Sequence, residues 1–143
     1  MFTRIKYVKG LPYGYLVRNE WRKNGSRQVV VAYLGRVYEV EGVSEKSFSS
    51  VSADALLESV VLHEAPEGVV FDVSSCRLTL DGKEQVFLVN GGLLCSRTVQ
   101  EVHKSLFVRN EERPGFALAT ALRNAGLRLN QQDFIRLYIH YAS

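Results

Sequence analysis

The sequence predicts an α+β fold, with antiparallel β-meanders packed against three to four short helices in a single domain. Three observations lead there. Residues 1–40 alternate apolar and polar side chains between glycine breaks, a second group of short β-prone runs at 69–96 is cut by Asp81-Gly82 and Asn90-Gly91, and capped helical patterns lie at 53–62 and in the C-terminal third. At 143 residues, 46 % hydrophobic and 23 % charged, the chain suits one domain. Residues 1–40 form a basic β-meander, and residues 41–143 an α+β remainder ending in a helix pair. A core of this size holds without metal or disulfide staples.

The first strand runs from Thr3 to Lys9, where Ile5 and Tyr7 alternate with Arg4 and Lys6, until Gly10-Leu11-Pro12 interrupts it. Tyr13 to Arg22 resumes the extended pattern. Asn24-Gly25 is the pair favoured in a type I′ hairpin turn, which needs positive φ at both positions, and Gln28 to Leu34 returns rich in valine. A two-residue turn there sets Arg22 opposite Arg27, Arg18 opposite Val31 and Leu16 opposite Tyr33. One face then carries Arg18, Arg22 and Arg27 with Val29, Val31 and Tyr33, joined by Arg4 and Lys6. The other carries Tyr13, Tyr15, Val17, Trp21, Val30, Ala32 and Leu34, and is expected to pack on the core.

Residues 41–52 are polar and serine-rich, and Ser52 is placed to cap a helix from Ala53 to Leu62, which Ala65-Pro66-Glu67-Gly68 ends. Strands follow at Val69–Val73, Arg77–Leu80, Gln85–Val89 and Leu93–Ser96, with hairpin turns at Asp81-Gly82 and Asn90-Gly91. Thr98-Val99-Gln100-Glu101 matches a capping box and opens a helix to about Val108. Pro114-Gly115 starts a helix over Phe116–Asn124, Gly126 ends it, and Asn130 or a neighbour caps a last helix through Tyr141.

Charge is unevenly spread. The whole chain carries +3 with a pI near 8.9, yet residues 1–40 hold eight basic against two acidic side chains, and residues 41–72 hold one against seven. Such asymmetry reads either as a binding footprint or as two halves of a surface that neutralise each other. No apolar run is long enough to span a membrane, and the N-terminus lacks the apolar run of a signal peptide. These features give the expectation of a soluble, cytoplasmic protein without a membrane partner.

Candidate catalytic and metal groups are sparse. Cys95 with His103 is the nearest to a nucleophile and base, but no orienting group or oxyanion loop accompanies them. Cys76, Cys95, His103 and His140 have no metal-ligand spacing, and His63-Glu64 lacks a second histidine four residues away. Strand register with tight turns sets Cys76 opposite Phe87 and Leu94 and leaves Cys95 two strands away on the other face, beyond disulfide reach. Two free thiols are expected, and no cofactor, metal or catalysis. The C-terminal helix pair has a helix-turn-helix outline, but Phe134, Leu137, Tyr138 and Tyr141 follow a core-facing spacing.

A face mixing guanidinium groups with aromatic and β-branched residues suits phosphates and bases, and it also reads as a solvated face whose arginine stems cover apolar neighbours. The run Arg4-Ile5-Lys6, Lys9-Gly10, Tyr13-Gly14-Tyr15-Leu16-Val17-Arg18 and Trp21 through Arg36 resembles the N-terminal β-meander of prokaryotic insertion-sequence transposases. The likeness covers about a quarter of the chain. It implies a prokaryotic, archaeal or bacterial, origin and nucleic-acid contact by the basic hairpin. It does not imply transposition, because the remaining residues are too few for a ribonuclease-H-like domain. The expected function is non-catalytic binding of DNA or RNA, single- or double-stranded, with Arg4, Lys6, Lys9, Arg18, Arg22, Lys23 and Arg27 on phosphates and Tyr33 as a stacking surface. The alternative is a protein-interaction module or homodimer that pairs basic and acidic surfaces.

Overall fold

A computed structural model describes residues 1–109 and 112–141. Its two sheets and four α-helices form the α+β fold expected. Strand β1 (Phe2–Val8) turns at Lys9-Gly10, both at positive φ, into β2 (Leu11–Arg22), which pairs with β3 (Gly25–Glu39). After a long crossover, β7 (Val86–Val89) lies parallel to β3, and β8 (Gly92–Leu94) returns antiparallel beside it. The sheet order is therefore β1-β2-β3-β7-β8. Within the crossover, a 3-10 turn at Ala53–Ala55 leads into α1 (Leu56–Glu64), followed by a small sheet of β4 (Val70–Asp72), β5 (Arg77–Leu80) and β6 (Lys83–Glu84). Helices α2 (Ser96–Ser105), α3 (Phe116–Asn124) and α4 (Gln131–His140) complete the chain.

The five-stranded sheet curls on itself. A Cβ built on Gly14 of β2 would stand 2.8 Å from Leu93 Cδ1 of β8, although the two strands are three strand spacings apart, about 14 Å in a flat sheet. The concave side encloses Val37, Val86, Leu93 and Cys95, with Ile5, Leu34 and Leu88 at its margin. The convex side of β7 and β8 presents Phe87, Val89 and Leu94 to the main core, built from Leu56, Val60 and Val61 of α1, Val99 and Val102 of α2, Leu118 and Leu122 of α3, Leu137 of α4 and Leu78 of β5. Truncating a fully buried leucine such as Leu137 costs about 2–5 kcal/mol.

Several sequence expectations shift here. Strand β5 pairs with β6 rather than β7, so the stretch 69–96 splits between two sheets, and the register assumed for Cys76 does not form. Both cysteines are nonetheless free, and both are buried. Helix α2 starts two residues before Thr98: the Thr98 hydroxyl accepts from Cys95 N–H at 3.1 Å, which makes Cys95 the cap and Thr98 the third helical residue. Ser52 makes no side-chain cap, because the chain enters α1 through the 3-10 turn. Asn130 caps α4 as expected, accepting from Asp133 N–H at 2.8 Å.

The C-terminal pair packs into the core. Leu137 is fully buried, Phe134 and Tyr138 pack against the core, and Arg136 donates to Phe48 O at 3.0 Å and to Val51 O. The buried Asp133 carboxylate accepts from Phe48 N–H at 2.9 Å, tying the 46–52 loop to α4. The one arginine of α4, Arg136, is thereby occupied within the fold, and the other basic residue of the helix, His140, pairs with Asp54.

Candidate nucleic-acid interface

Hairpin β2–β3 decides where the basic residues stand. Its turn differs from the expected type I′ form: of Asn24 and Gly25 only Gly25 has positive φ, and Arg22 pairs with Gly25. Lys23 and Asn24 are the two residues between the paired Arg22 and Gly25, and the positive φ falls on Gly25. Partners move two residues from the expected register, so Arg18 faces Val29 and Glu20 faces Arg27. An even shift keeps the faces near the tip unchanged.

Further in, two β-bulges change them. Leu16 pairs with Ala32 while Val17 pairs with Val30, and Tyr15 pairs with Tyr33 while Gly14 pairs with Gly35. Val31 and Leu34 are the extra residues. The second bulge sends Leu34 to the concave side and leaves Tyr33 beside Tyr15 on the convex side. On β1, Arg4 lies opposite Tyr15 and Lys6 opposite Tyr13, so both also join the convex side.

The expected basic face is therefore two faces. Over β1–β3 the convex side carries Arg4, Lys6 and Arg36 among Tyr13, Tyr15, Tyr33 and Tyr38, with no acidic residue on that side of these strands. Tyr33 stacks on Tyr13 with ring centroids 6.4 Å apart and meets Tyr15 at 5.4 Å. Lys6 Nζ lies 5.0 Å above the Tyr15 ring, Arg36 lies 5.2 Å from the Tyr38 ring, and Arg4 donates to Gln28 Oε1. This is the face expected to be buried. Instead Tyr33 is 59 % and Trp21 82 % exposed, while Val17, between Phe2 and Val30 in the ladder, is the covered residue of the group. Gly14 carries the physical reason, since only the side with no side chain at this position lets β2 approach β8.

Beyond the core, the hairpin continues as a two-stranded arm of about five residue pairs, some 17 Å long. From Arg18 to Gln28 every residue is exposed except the half-buried Glu20. Arg18, Arg22 and Arg27 share one side with Glu20, which accepts from Arg22 at 3.4 Å, and Lys23 sits at the tip. Asn19, Trp21, Ser26 and Gln28 form the reverse side, continuous with the tyrosine face. Lys9 lies apart, in the β1–β2 turn.

No family model, curated protein or solved structure gives a significant match to this chain. Among the described residues no ion pair joins the basic meander to the acidic stretch 41–72. Within the acidic stretch, Glu64 is engaged by Arg128 and Asp54 by His140.

Cys95 caps the start of α2, and His103 lies in the last turn of the same helix. Burial pushes the Cys95 thiol up despite the hydrogen bonds from Thr98, and His103 is exposed with its ring edge-on to Phe107. Burial likewise raises Cys76, assisted by the Asp72 charge. An apolar recess of about 310 Å³ between α2 and α3 is lined by Leu16, Ser105, Phe116 and Ala121, with Glu101 and Lys104 paired at its rim. Among the described residues no group of three or more His, Cys, Asp or Glu side chains forms a metal cluster. No helix among them is long and apolar enough to cross a membrane.

Proposed function

We propose that this chain is a non-catalytic, cytoplasmic nucleic-acid-binding protein that works through its N-terminal β-meander. The observation that carries the reading is the exposed Tyr33 ring, in contact with Tyr13 and Tyr15, beside cations of residues 1–40 that, among the described residues, form no ion pair with an acidic group of residues 41–72. Arg18, Arg22, Lys23 and Arg27 contact phosphates from the arm, Arg4 and Lys6 from the sheet and Lys9 from its turn, and Tyr33 stacks on bases. Residues that carry this much positive charge on solvent-facing strands release counterions when phosphates bind, so affinity must fall steeply with salt.

The test is a titration of labelled oligonucleotides, single- and double-stranded, at two salt concentrations, with the protein and its Arg22→Ala/Arg27→Ala variant. Losing two phosphate contacts weakens binding to every sequence and reduces the salt slope by about two. Unchanged affinity and slope in the variant remove the arm from the interface. No binding by the unaltered protein to any oligonucleotide overturns the reading.

A second reading rests on the same separation of charge: a homodimer or partner complex in which the basic meander meets the acidic 41–72 stretch of another chain. Glu41, Glu45 and Glu67 are exposed. Salt-sensitive self-association without nucleic acid favours this reading over the first.

A further inference from the structure

We infer that the convex face of β1–β3 takes single-stranded nucleic acid, with unpaired bases stacked on Tyr33, Tyr13 and Tyr15 and the adjoining phosphates held by Arg4, Lys6 and Arg36. This deepens the nucleic-acid reading above and rests on it. The argument begins with ring access. The base faces of a duplex are closed by their own stacking, so an aromatic platform engages only bases that are unpaired. Tyr33 of β3 stands exposed, with the half-buried rings of Tyr13, stacked on it, and Tyr15, tilted against it, alongside on β2. Three contiguous rings suit about two or three bases, as on other single-strand-binding sheets.

Width excludes the groove for this part of the protein. A major groove about 12 Å wide admits a helix or a two-stranded ribbon, whereas the three strands carrying the tyrosines span about 10 Å between outer backbones before side chains are counted. Only the arm has ribbon width, and its cationic side carries Glu20 between Arg18 and Arg22. The tyrosine side has no acid on these three strands, and its cations lie over or beside the rings, where a phosphate following a stacked base would pass. Trp21, on the same side of the arm, extends the stacking surface outward.

The experiment compares a fluorescein-labelled mixed-sequence 20-mer as single-stranded RNA, as single-stranded DNA and as the DNA duplex. The single strands bind more tightly than the duplex, and the RNA and DNA arms show which sugar is preferred. Tyr33→Ala weakens single-strand binding by about tenfold or more while leaving duplex binding unchanged, and Tyr33→Phe retains it because the π-face remains. Tyr33 is solvent-facing, and if truncation unsettles the sheet, Tyr33→Leu supplies the same test with bulk but no π-face. Lys6→Gln and Arg36→Gln each reduce the salt slope for the single strand by about one. Duplex binding as tight as single-strand binding, with Tyr33→Ala without effect and Arg22→Ala/Arg27→Ala weakening both, overturns this inference and leaves the nucleic-acid reading standing. Absence of binding to all three probes overturns both.

Discussion

Glu64, the last residue of α1, accepts a hydrogen bond from Arg128 Nε at 3.0 Å, and its side chain is only 3 % exposed. The same carboxylate accepts from Asn90 Nδ2 at 2.9 Å, and that amide also donates to Gly126 O at 2.9 Å. Arg128 reaches on to Val43 O at 2.7 Å. One enclosed carboxylate thus connects α1, the β7–β8 turn, the α3–α4 link and the loop after β3. Arg128→Ala leaves that charge buried with only the Asn90 amide to hold it, and is expected to cost about 3 kcal/mol. Glu64→Leu combined with Arg128→Met removes both charges and should cost less than Arg128→Ala alone. Urea unfolding midpoints of the three proteins check the order.

Glycine substitutions should divide into two classes. A Cβ on Gly126 would stand 2.0 Å from Val89 O, and one on Gly92 would stand 2.3 Å from Gly126 N. These are backbone collisions, where the β7–β8 hairpin docks on the end of α3. Gly126 also has φ +71, so Gly126→Ala combines left-handed strain with overpacking and is expected to cost about 3–4 kcal/mol. Gly10 and Gly25 have positive φ with nothing within 4 Å, so alanine there carries the backbone term alone, about 1 kcal/mol. Thermal midpoints that fail to separate the two pairs would contradict the close docking.

The local parts of this fold were legible in the chain, and the long-range parts were not. Asp81-Gly82 and Asn90-Gly91 turn where expected, Arg77–Leu80 and Phe116–Asn124 have the expected ends, and Asn130 caps α4, because each depends on a few neighbouring residues. The buried side of β1–β3 differs from the sequence expectation because Tyr13, Tyr15 and Val17 alternate as cleanly as a core face does, and a period of two cannot tell a tyrosine-bearing outer face from an interior. Gly14, on the opposite side, is the available signal of close approach there. Neither bulge had a sequence mark. Val31 and Leu34 look like ordinary strand residues, and their displacement follows from the curl that brings β2 to β8. Hence the sequence candidates Arg4, Lys6 and Tyr33 share one face with Tyr13, Tyr15 and Arg36, which the sequence pattern does not single out as surface residues.

The two thiols give a pH prediction. Burial raises both Cys95 and Cys76 above the ordinary thiol range, so the folded chain keeps their protons at a pH where the unfolded chain has lost them. The stability this represents is fully present below the unfolded thiol pKa of about 8.5 and is lost as pH rises through the folded values. Unfolding free energy should therefore fall from about pH 8 upward more steeply in the natural sequence than in a Cys76→Ala/Cys95→Ala variant. At pH 8 iodoacetamide should react with the native thiols at least about tenfold more slowly than in urea. Equal alkylation rates in the two states would place the cysteines at the surface.

Trp21 reports on the arm directly, because it is the only tryptophan in the chain. It lies on a two-stranded extension whose sides are both open, and it is 82 % exposed. An isolated hairpin owes little to burial, so the indole should emit as in water, and iodide should quench it nearly as well in the folded protein as in urea. The arm's charge adds a second, directional expectation. Arg18, Arg22, Lys23 and Arg27 with one glutamate between them concentrate anions near the indole, so iodide should quench more strongly than cesium at low ionic strength. That difference should shrink in the Arg22→Ala/Arg27→Ala variant and in high salt, while overall accessibility stays the same. A blue-shifted emission resistant to both quenchers would mean that the arm is covered, and dilution then separates the sources: recovery of quenching on dilution identifies another copy of the chain as the cover, and persistence places the arm against its own body.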